Sequence, residues 1–244
     1  MLQDNYLFLL HAGDETAVVD PAVDDVVLDA IKSRGWTLTH ILNTHHHWDH
    51  TGANLSLKEK TGCTIIGPKD EQDNIPGIDK AVGGGDTIAI GGVAAAVIDV
   101  PGHTKGHIAY HFAKDHALFC GDALFAMGCG RLFEGTAVQM HKSLQKLGAL
   151  PDETQVYCAH EYTESNGDFA LSLEPGNVML QKRMDNVVTL RERGIPTIPS
   201  SIGIEKATNP FLRTDSFEIR STMGMVNADC FSVFANIRKR KDNF

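Results

Sequence analysis

Several features that define whole classes of protein are missing from this sequence. No two cysteines stand in Cys-x-x-Cys spacing, and the five cysteines of the 244-residue chain are scattered. This pattern argues against a disulfide framework and against a cysteine-rich structural zinc site. No apolar run approaches a membrane span, and residues 1–6 carry no basic, signal-like region. We therefore predict a cytoplasmic protein with reduced thiols and no membrane partner.

An excess of positive charge is also missing. The chain has 22 Lys and Arg residues against 31 Asp and Glu, and its formal net charge is −9. Nucleic acid is therefore not an expected partner. The acidity is uneven, because residues 238–241 are all cationic. This run predicts a local site for an anion.

What the chain does have is one dense stretch of histidine at residues 44–50, with four imidazoles and one carboxylate. A β-branched, half-apolar segment at 38–43 predicts a strand before it, and residues 53–60 predict a helix after it. The stretch is thus expected in a strand-to-helix loop, where a rigid scaffold can aim several side chains at one point. Imidazole with carboxylate oxygen suits zinc, iron or manganese.

Three more candidate ligands each follow a short apolar strand. They are His103, Asp122 and His160. Taken alone, each is typical of an ordinary loop histidine or a turn aspartate. Together with His45, His47, Asp49 and His50 they predict a metal site.

Strands and helices alternate up to about residue 161, and the pattern is mainly helical from there on. We predict an α/β domain at 1–161 and a mainly helical domain at 162–244. Within the first domain, the polar, Gly/Pro-bearing segment 69–85 is expected to be a surface loop. The stripe of Met140, Leu144 and Leu147 predicts a helix.

The spacing His45-x-His47-x-Asp49-His50, with His103, Asp122 and His160 downstream, resembles the ligand signature of the metallo-β-lactamase superfamily. Further motifs resemble the bacterial branch of the glyoxalase II family within it. These motifs are Pro101-Gly102-His103-Thr104-x-Gly106-His107, Cys120-Gly121-Asp122, Gly128-Cys129-Gly130-Arg131-x-Phe133-Glu134-Gly135-Thr136, Ala159-His160-Glu161-Tyr162, Asn209-Pro210-Phe211-Leu212-Arg213 and Lys241-Asp242-x-Phe244.

The resemblance implies that 1–161 is the catalytic domain, an αββα sandwich, and that 162–244 is a small helical, substrate-binding domain. It also implies two divalent metal ions, with zinc expected first and iron or manganese as alternatives. His45, His47 and His103 would hold one ion. Asp49, His50 and His160 would hold the other, and Asp122 would bridge the two. In this scheme Asp49 and Asp122 act in catalysis as ligands that position a bridging hydroxide.

The activity that the resemblance implies is hydrolysis of S-D-lactoylglutathione to D-lactate and glutathione, the second step of methylglyoxal detoxification. We expect a monomer with a small-molecule substrate. The glutathione contacts of the family fall on Arg131, Phe133, Tyr162, Arg238 and Lys241. Two positions depart from the eukaryotic form of the family, in which lysine is usual at 131 and tyrosine at 133, whereas arginine and phenylalanine occur in the bacterial branch.

Two other classes of function remain open on the sequence. Another metal-dependent enzyme of this scaffold, such as a glutathione persulfide dioxygenase, a lactonase or a general thioesterase, would share the histidine stretch. A mononuclear dioxygenase would not need Asp49, His50 and His160, all of which are present. A non-catalytic metal-binding protein would hold its metal tightly without turnover.

Overall fold

The computed structural model describes residues 2–244, and the contacts within the chain divide it into two compact units. Unit 1 runs up to Asp99 and includes Lys105–Gly121. Unit 2 consists of Val100–Thr104 and Asp122–Phe244. These units are defined by contacts, and the domain boundary at residue 162 remains a prediction from the sequence.

Unit 1 contains most of the strands. Its elements are β1 (Phe8–Ala12), β2 (Glu15–Val19), α1 (Asp25–Arg34), β3 (His40–Leu42), α2 (Trp48–Thr51), α3 (Asn54–Thr61), β4 (Thr64–Pro68), a 3₁₀ helix (Lys69–Asn74), β5 (Lys80–Val82), β6 (Thr87–Ile90), β7 (Val93–Asp99), β8 (Ile108–Phe112), a 3₁₀ helix (Ala113–Asp115) and β9 (Ala117–Gly121).

Strands β1 to β5 form the first sheet of unit 1. β1 pairs antiparallel with β2, and β2, β3, β4 and β5 follow one another in parallel. Parallel neighbours need crossover connections, and α1 and α3 supply two of them. Val27 of α1 and Leu57 of α3 are buried in one cluster with Val18, Ile41 and Ile65 of the strands. The helices therefore cover one face of this sheet.

Strands β6 to β9 pair antiparallel, each with the next along the chain. This second sheet packs on the first. The buried Tyr110 of β8 donates its hydroxyl hydrogen bond to the Asn43 carbonyl at 2.8 Å. The rings of Phe8 and Phe119 lie 5.6 Å apart. Unit 1 thus has a helix layer and two sheet layers, as the α/β prediction requires.

Unit 2 is mainly helical. Its elements are β10 (Leu124–Phe125), β11 (Gly128–Cys129), α4 (Ala137–Gly148), β12 (Gln155–Cys158), α5 (Thr163–Leu173), α6 (Val178–Glu192), β13 (Ser200–Ser201), α7 (Ile202–Thr208), α8 (Phe217–Thr222) and α9 (Cys230–Lys241). Helix α4 begins with a capping box of Thr136 and Gln139. Its predicted stripe, Met140, Leu144 and Leu147, is fully buried.

Two expectations from the sequence are wrong in detail. The segment 69–85 is not a plain loop, because it contains the 3₁₀ helix Lys69–Asn74 and strand β5. Strand β5 forms because it pairs with β4, and the polar local sequence does not predict this pairing. In addition, Asp49 and His50 lie on the short helix α2 rather than in a loop.

None of the described helices is long and apolar enough to span a membrane.

Candidate metal centre

Unit 1 presents four of the predicted metal ligands just beyond the end of β3. The Nε2 atom of His45 lies 3.1 Å from Nδ1 of His47. The Nε2 atom of His50 lies 3.4 Å from Oδ2 of Asp49. Two ligands that bind one tetrahedral ion at about 2.0–2.1 Å lie roughly 3.4 Å from each other. Each pair therefore has the separation of two donors to one ion.

A buried carboxylate, Asp20 at the end of β2, orients this stretch. Its Oδ1 accepts a hydrogen bond from the Thr44 backbone N–H at 2.8 Å, and its Oδ2 accepts one from the Thr44 hydroxyl at 2.7 Å. Oδ2 also lies 3.2 Å from Nδ1 of His50, which directs the other ring nitrogen toward Asp49. Asp20 was not predicted from the sequence, although it shares the signal that marks Asp122, an acidic residue directly after an apolar strand.

His107, the other histidine of the Pro101–His107 motif, supports the stretch by packing. It is fully buried, and its ring stacks on that of His45 with the centroids 4.6 Å apart. Its Nδ1 lies 3.0 Å from the Ile108 carbonyl oxygen. These contacts describe a structural, hydrogen-bonding role for His107.

Unit 2 presents the other three predicted ligands around one carboxylate. Oδ2 of Asp122 lies 3.4 Å from Nε2 of His103, and Oδ1 of Asp122 lies 3.4 Å from Nε2 of His160. One carboxylate thus offers each of its oxygens beside a different imidazole nitrogen. This is the arrangement that a carboxylate bridging two ions requires. The ring of His103 is oriented by the Arg131 carbonyl oxygen, which lies 2.9 Å from its Nδ1.

Gly130 explains why the loop after β11 can come so close to these ligands. A Cβ atom at this position would overlap the Asp122 carbonyl oxygen and would lie 3.1 Å from Nδ1 of His103. The backbone N–H of Gly130 donates to the Ala123 carbonyl at 3.3 Å. The absence of a side chain at Gly130 therefore keeps Asp122 and His103 in place.

The donor set fits divalent metal ions. Each of the seven predicted ligands belongs to a group of at least three histidine or acidic side chains that could hold an ion. Imidazole nitrogen and carboxylate oxygen are the ligands that zinc, iron and manganese share. The orienting partners of His50 and His103, a carboxylate and a backbone carbonyl, are those usual behind metal-binding histidines.

The five predicted glutathione contacts all lie in unit 2, in two kinds of surroundings. Phe133 and Tyr162 are 63 % and 38 % exposed, and Arg131 is also exposed. The Phe133 ring meets that of His103 edge-on at 5.2 Å, and the Tyr162 ring stacks on that of His160 at 4.8 Å. Aromatic surface is thus available directly beside two of the predicted ligands.

Arg238 and Lys241 come from the last turns of α9. Arg238 is buried, and its Nη1 donates to the Cys129 carbonyl at 2.8 Å while its Nη2 pairs with Asp242 at 2.9 Å. Lys241 donates to the Ser165 carbonyl at 3.0 Å. Burial lowers the pKa of Lys241 below its ordinary value of 10.5, and the charges of Arg238 and Arg131 lower it further.

Two buried cysteines of unit 2, Cys129 and Cys158, are poor nucleophiles. Burial raises the pKa of Cys129 to about 11 and that of Cys158 to about 12. Because the thiolate is the reactive form, both side chains are inert at neutral pH. Neither thiol is therefore suited to act as a nucleophile at the centre.

The class of protein follows from this fold and donor set. The model of the metallo-beta-lactamase superfamily matches residues 3–160. The crystal structure of ETHE1 from Myxococcus xanthus superposes with a TM-score of 0.67 at 28 % identity, over 97 % of this chain and 93 % of that one. These matches confirm the predicted metallo-β-lactamase fold.

The particular family is shown by the rest of the chain. The model described as hydroxyacylglutathione hydrolase C-terminus matches residues 161–244. Hydroxyacylglutathione hydrolases from Methylococcus capsulatus and Rhodospirillum rubrum are 54 % and 53 % identical to the chain, over 100 % of its length and 96 % of theirs. The chain belongs to the hydroxyacylglutathione hydrolase family and is a metal-dependent hydrolase, as the sequence motifs predict.

Proposed function

We propose that the protein hydrolyses S-D-lactoylglutathione and related 2-hydroxyacyl thioesters of glutathione. In this reaction the oxygen of water adds to the thioester carbonyl carbon, the C–S bond breaks, and D-lactate and glutathione are released. The observation that carries the proposal is the similarity to hydroxyacylglutathione hydrolases over the whole chain, including the C-terminal 161–244. The matched relatives do not favour the dioxygenase, lactonase or non-catalytic alternatives.

Two divalent ions are part of the proposal. His45, His47 and His103 would hold one of them, while Asp49, His50 and His160 would hold the other. Asp122 would bridge the two. The separations inside each unit support this division. In unit 1, His45 lies beside His47 and Asp49 lies beside His50. In unit 2, one oxygen of Asp122 lies beside His103 and the other beside His160.

The chemistry that such a pair of ions supplies is activation of a water molecule and polarisation of a carbonyl oxygen. The chain's own part is to hold the donors rigidly and to supply negative charge. Asp49 and Asp122 do this as ligands, and neither is needed as a separate general base. The raised thiol pKa of Cys129 fits a route without a covalent enzyme intermediate.

Recognition of glutathione is assigned to Arg131, Phe133, Tyr162, Arg238 and Lys241. Glutathione carries two carboxylates, so its site needs cations on an otherwise acidic protein. Burial lowers the pKa of Lys241, and repulsion from Arg238 and Arg131 lowers it further, so these cations act on one another. A bound carboxylate would relieve this repulsion and gain charge-assisted hydrogen bonds. Phe133 and Tyr162 would supply the apolar walls.

Zinc as the resident metal, a monomeric state, a cytoplasmic location and a substrate-binding role for residues 162–244 belong to the same proposal. All five cysteines are free, which supports a reducing compartment. Imidazole and carboxylate ligands suit zinc, iron and manganese alike, so zinc is proposed as the first of these three metals.

The test is thioester hydrolysis by purified protein with metal content measured on the same sample. We expect rapid loss of S-D-lactoylglutathione and close to two ions per chain. A fully metallated sample without turnover would overturn the assignment. Oxygen uptake with glutathione persulfide, measured on that sample, separates the dioxygenase alternative, and neither activity with tightly held metal would indicate a binding protein.

A further inference from the structure

Glu71 is the one buried residue of the polar 3₁₀ helix Lys69–Asn74. Its exposed fraction is 4 %, whereas its five neighbours in the helix are exposed. The helix follows β4, and β4 lies parallel to β3, whose end leads into the histidine stretch. Because neighbouring parallel strands end at the same edge of a sheet, the segment after β4 reaches the segment after β3. Glu71 is thus directed at the ligand-bearing stretch.

The carboxylate of Glu71 joins two segments of unit 1. Its Oε2 accepts a hydrogen bond from the His46 backbone N–H at 2.9 Å and lies 2.8 Å from Nδ1 of the same residue. Its Oε1 accepts a hydrogen bond from the Gly106 backbone N–H at 2.7 Å. Both oxygens are therefore used, each by a different part of the chain.

The packing at Gly106 shows that this approach is built into the sequence. A Cβ atom at Gly106 would lie 2.6 Å from Cγ of Glu71 and 3.0 Å from Cβ of Asp70. Only glycine allows the 3₁₀ helix to pack so closely. Gly106 follows the predicted ligand His103 by three positions, and His46 stands between the predicted ligands His45 and His47.

We propose that Glu71 is a positioning residue for the metal centre, an inference that rests on the proposed metal-ligand roles of His45 and His47. By accepting a hydrogen bond from the His46 backbone N–H, Glu71 restrains the peptide plane between His45 and His46, and its contact with the His46 ring restrains the residue between the two ligands. Together these restraints set the separation of His45 Nε2 and His47 Nδ1. Loss of the Glu71 carboxylate then lowers metal affinity, because the two imidazoles must be reordered when an ion binds.

The test compares Glu71→Gln and Glu71→Ala with Asp73→Asn, which removes the same charge from an exposed position of the same 3₁₀ helix. Glutamine keeps the shape of glutamate but turns one acceptor into a donor that faces a backbone N–H. We expect both Glu71 variants to bind zinc roughly 10- to 100-fold more weakly in competition with a chromogenic chelator, as for other outer partners of metal ligands. Asp73→Asn should bind zinc like the unaltered protein.

Two further measurements separate positioning from a purely structural role. The visible spectrum of the cobalt-loaded Glu71→Gln protein should differ from that of the unaltered protein, since the ligand geometry changes. Its metal-free form should unfold thermally close to the unaltered metal-free protein. Unchanged zinc affinity, a loss shared by Asp73→Asn, or a loss matched by unfolding of the metal-free variant would overturn the proposal. None of these measurements depends on thioester hydrolysis. They therefore test the role of Glu71 even if the protein does not hydrolyse the proposed substrate.

Discussion

Unit 1 contributes its predicted metal ligands from a single short stretch, whereas unit 2 contributes them from three separate places in the chain. The support behind the ligands differs as well. In unit 1 it comes from side-chain carboxylates, with Asp20 beside His50 and Glu71 beside His46. In unit 2, His103 is held by the Arg131 backbone carbonyl, on a loop that depends on Gly130.

This difference indicates how each half can be perturbed. A carboxylate behind a ligand can be changed to its amide, which keeps the shape of the side chain, so unit 1 should lose metal affinity while its fold is kept. A backbone carbonyl cannot be removed by substitution, so the support in unit 2 is disturbed only by displacing the loop. Damage in unit 2 should therefore combine loss of metal with loss of stability.

The largest effect is expected for Asp122→Ala, which removes the carboxylate shared by His103 and His160. Asp122 is proposed as a ligand to both ions. The decrease in metal affinity and activity should therefore exceed the roughly 10- to 100-fold decrease that is typical when a residue orienting a ligand is substituted. We expect kcat/KM for the thioester to fall to background and metal content to fall to one ion per chain or fewer. A variant that keeps two ions and measurable turnover would contradict the bridging role.

Gly130→Ala should follow, because the new Cβ would overlap the Asp122 carbonyl oxygen. Crowding of this kind costs about 1–3 kcal/mol or more in the free energy of unfolding. Denaturant titration of the metal-free protein measures the loss, and metal content should fall with it. The matched control is Gly148→Ala in α4, where a Cβ would meet only Cδ2 of Leu212 at 3.4 Å. Equal stability of the two variants would remove the contrast between the units.

Asp20→Asn tests the support in unit 1. Asp20 has a φ of 50°, a left-handed conformation that asparagine also tolerates, so the backbone should be unchanged. The neutral amide interacts more weakly with Nδ1 of His50 than the carboxylate does. We therefore expect metal affinity to fall roughly 10- to 100-fold. Competition with a chelator measures this, with the exposed Asp25→Asn as control. If the metal-free variant unfolds, Asp20 stabilises the fold and its main role is not to orient His50.

Lys241→Met should have the smallest effect and should leave the metal centre alone. Removal of one partly exposed cation is expected to raise KM roughly threefold to tenfold with kcat unchanged, and the effect should shrink at high salt. The exposed Lys239→Met on the same helix is the control. In the unaltered protein, KM should rise with pH as Lys241 loses its proton, below the ordinary value of 10.5, since its pKa is lowered. A pH profile identical in Lys241→Met would argue against this contact.

The success of sequence reasoning varied from element to element for identifiable reasons. Helix α4 was predicted because Met140, Leu144 and Leu147 follow helical spacing and form a buried stripe. Helix α1 ends at Arg34, and Gly35 follows it in the left-handed conformation that is usual for a helix-ending glycine, a local signal that the sequence carries. Strand β5 was not predicted, because only Val82 of its three residues is buried and pairing with β4 creates it.

The roles of individual side chains divide in the same way. The sequence by itself determined the fold class and the family, because ligand spacing and motifs are local patterns that remain legible along the chain. Only the tertiary structure decided that Asp20 and Glu71 stand behind His50 and His46, and that the Arg238 guanidinium is buried against Cys129. These contacts join residues 25 or more positions apart, and strand pairing and packing set such distances rather than any local preference.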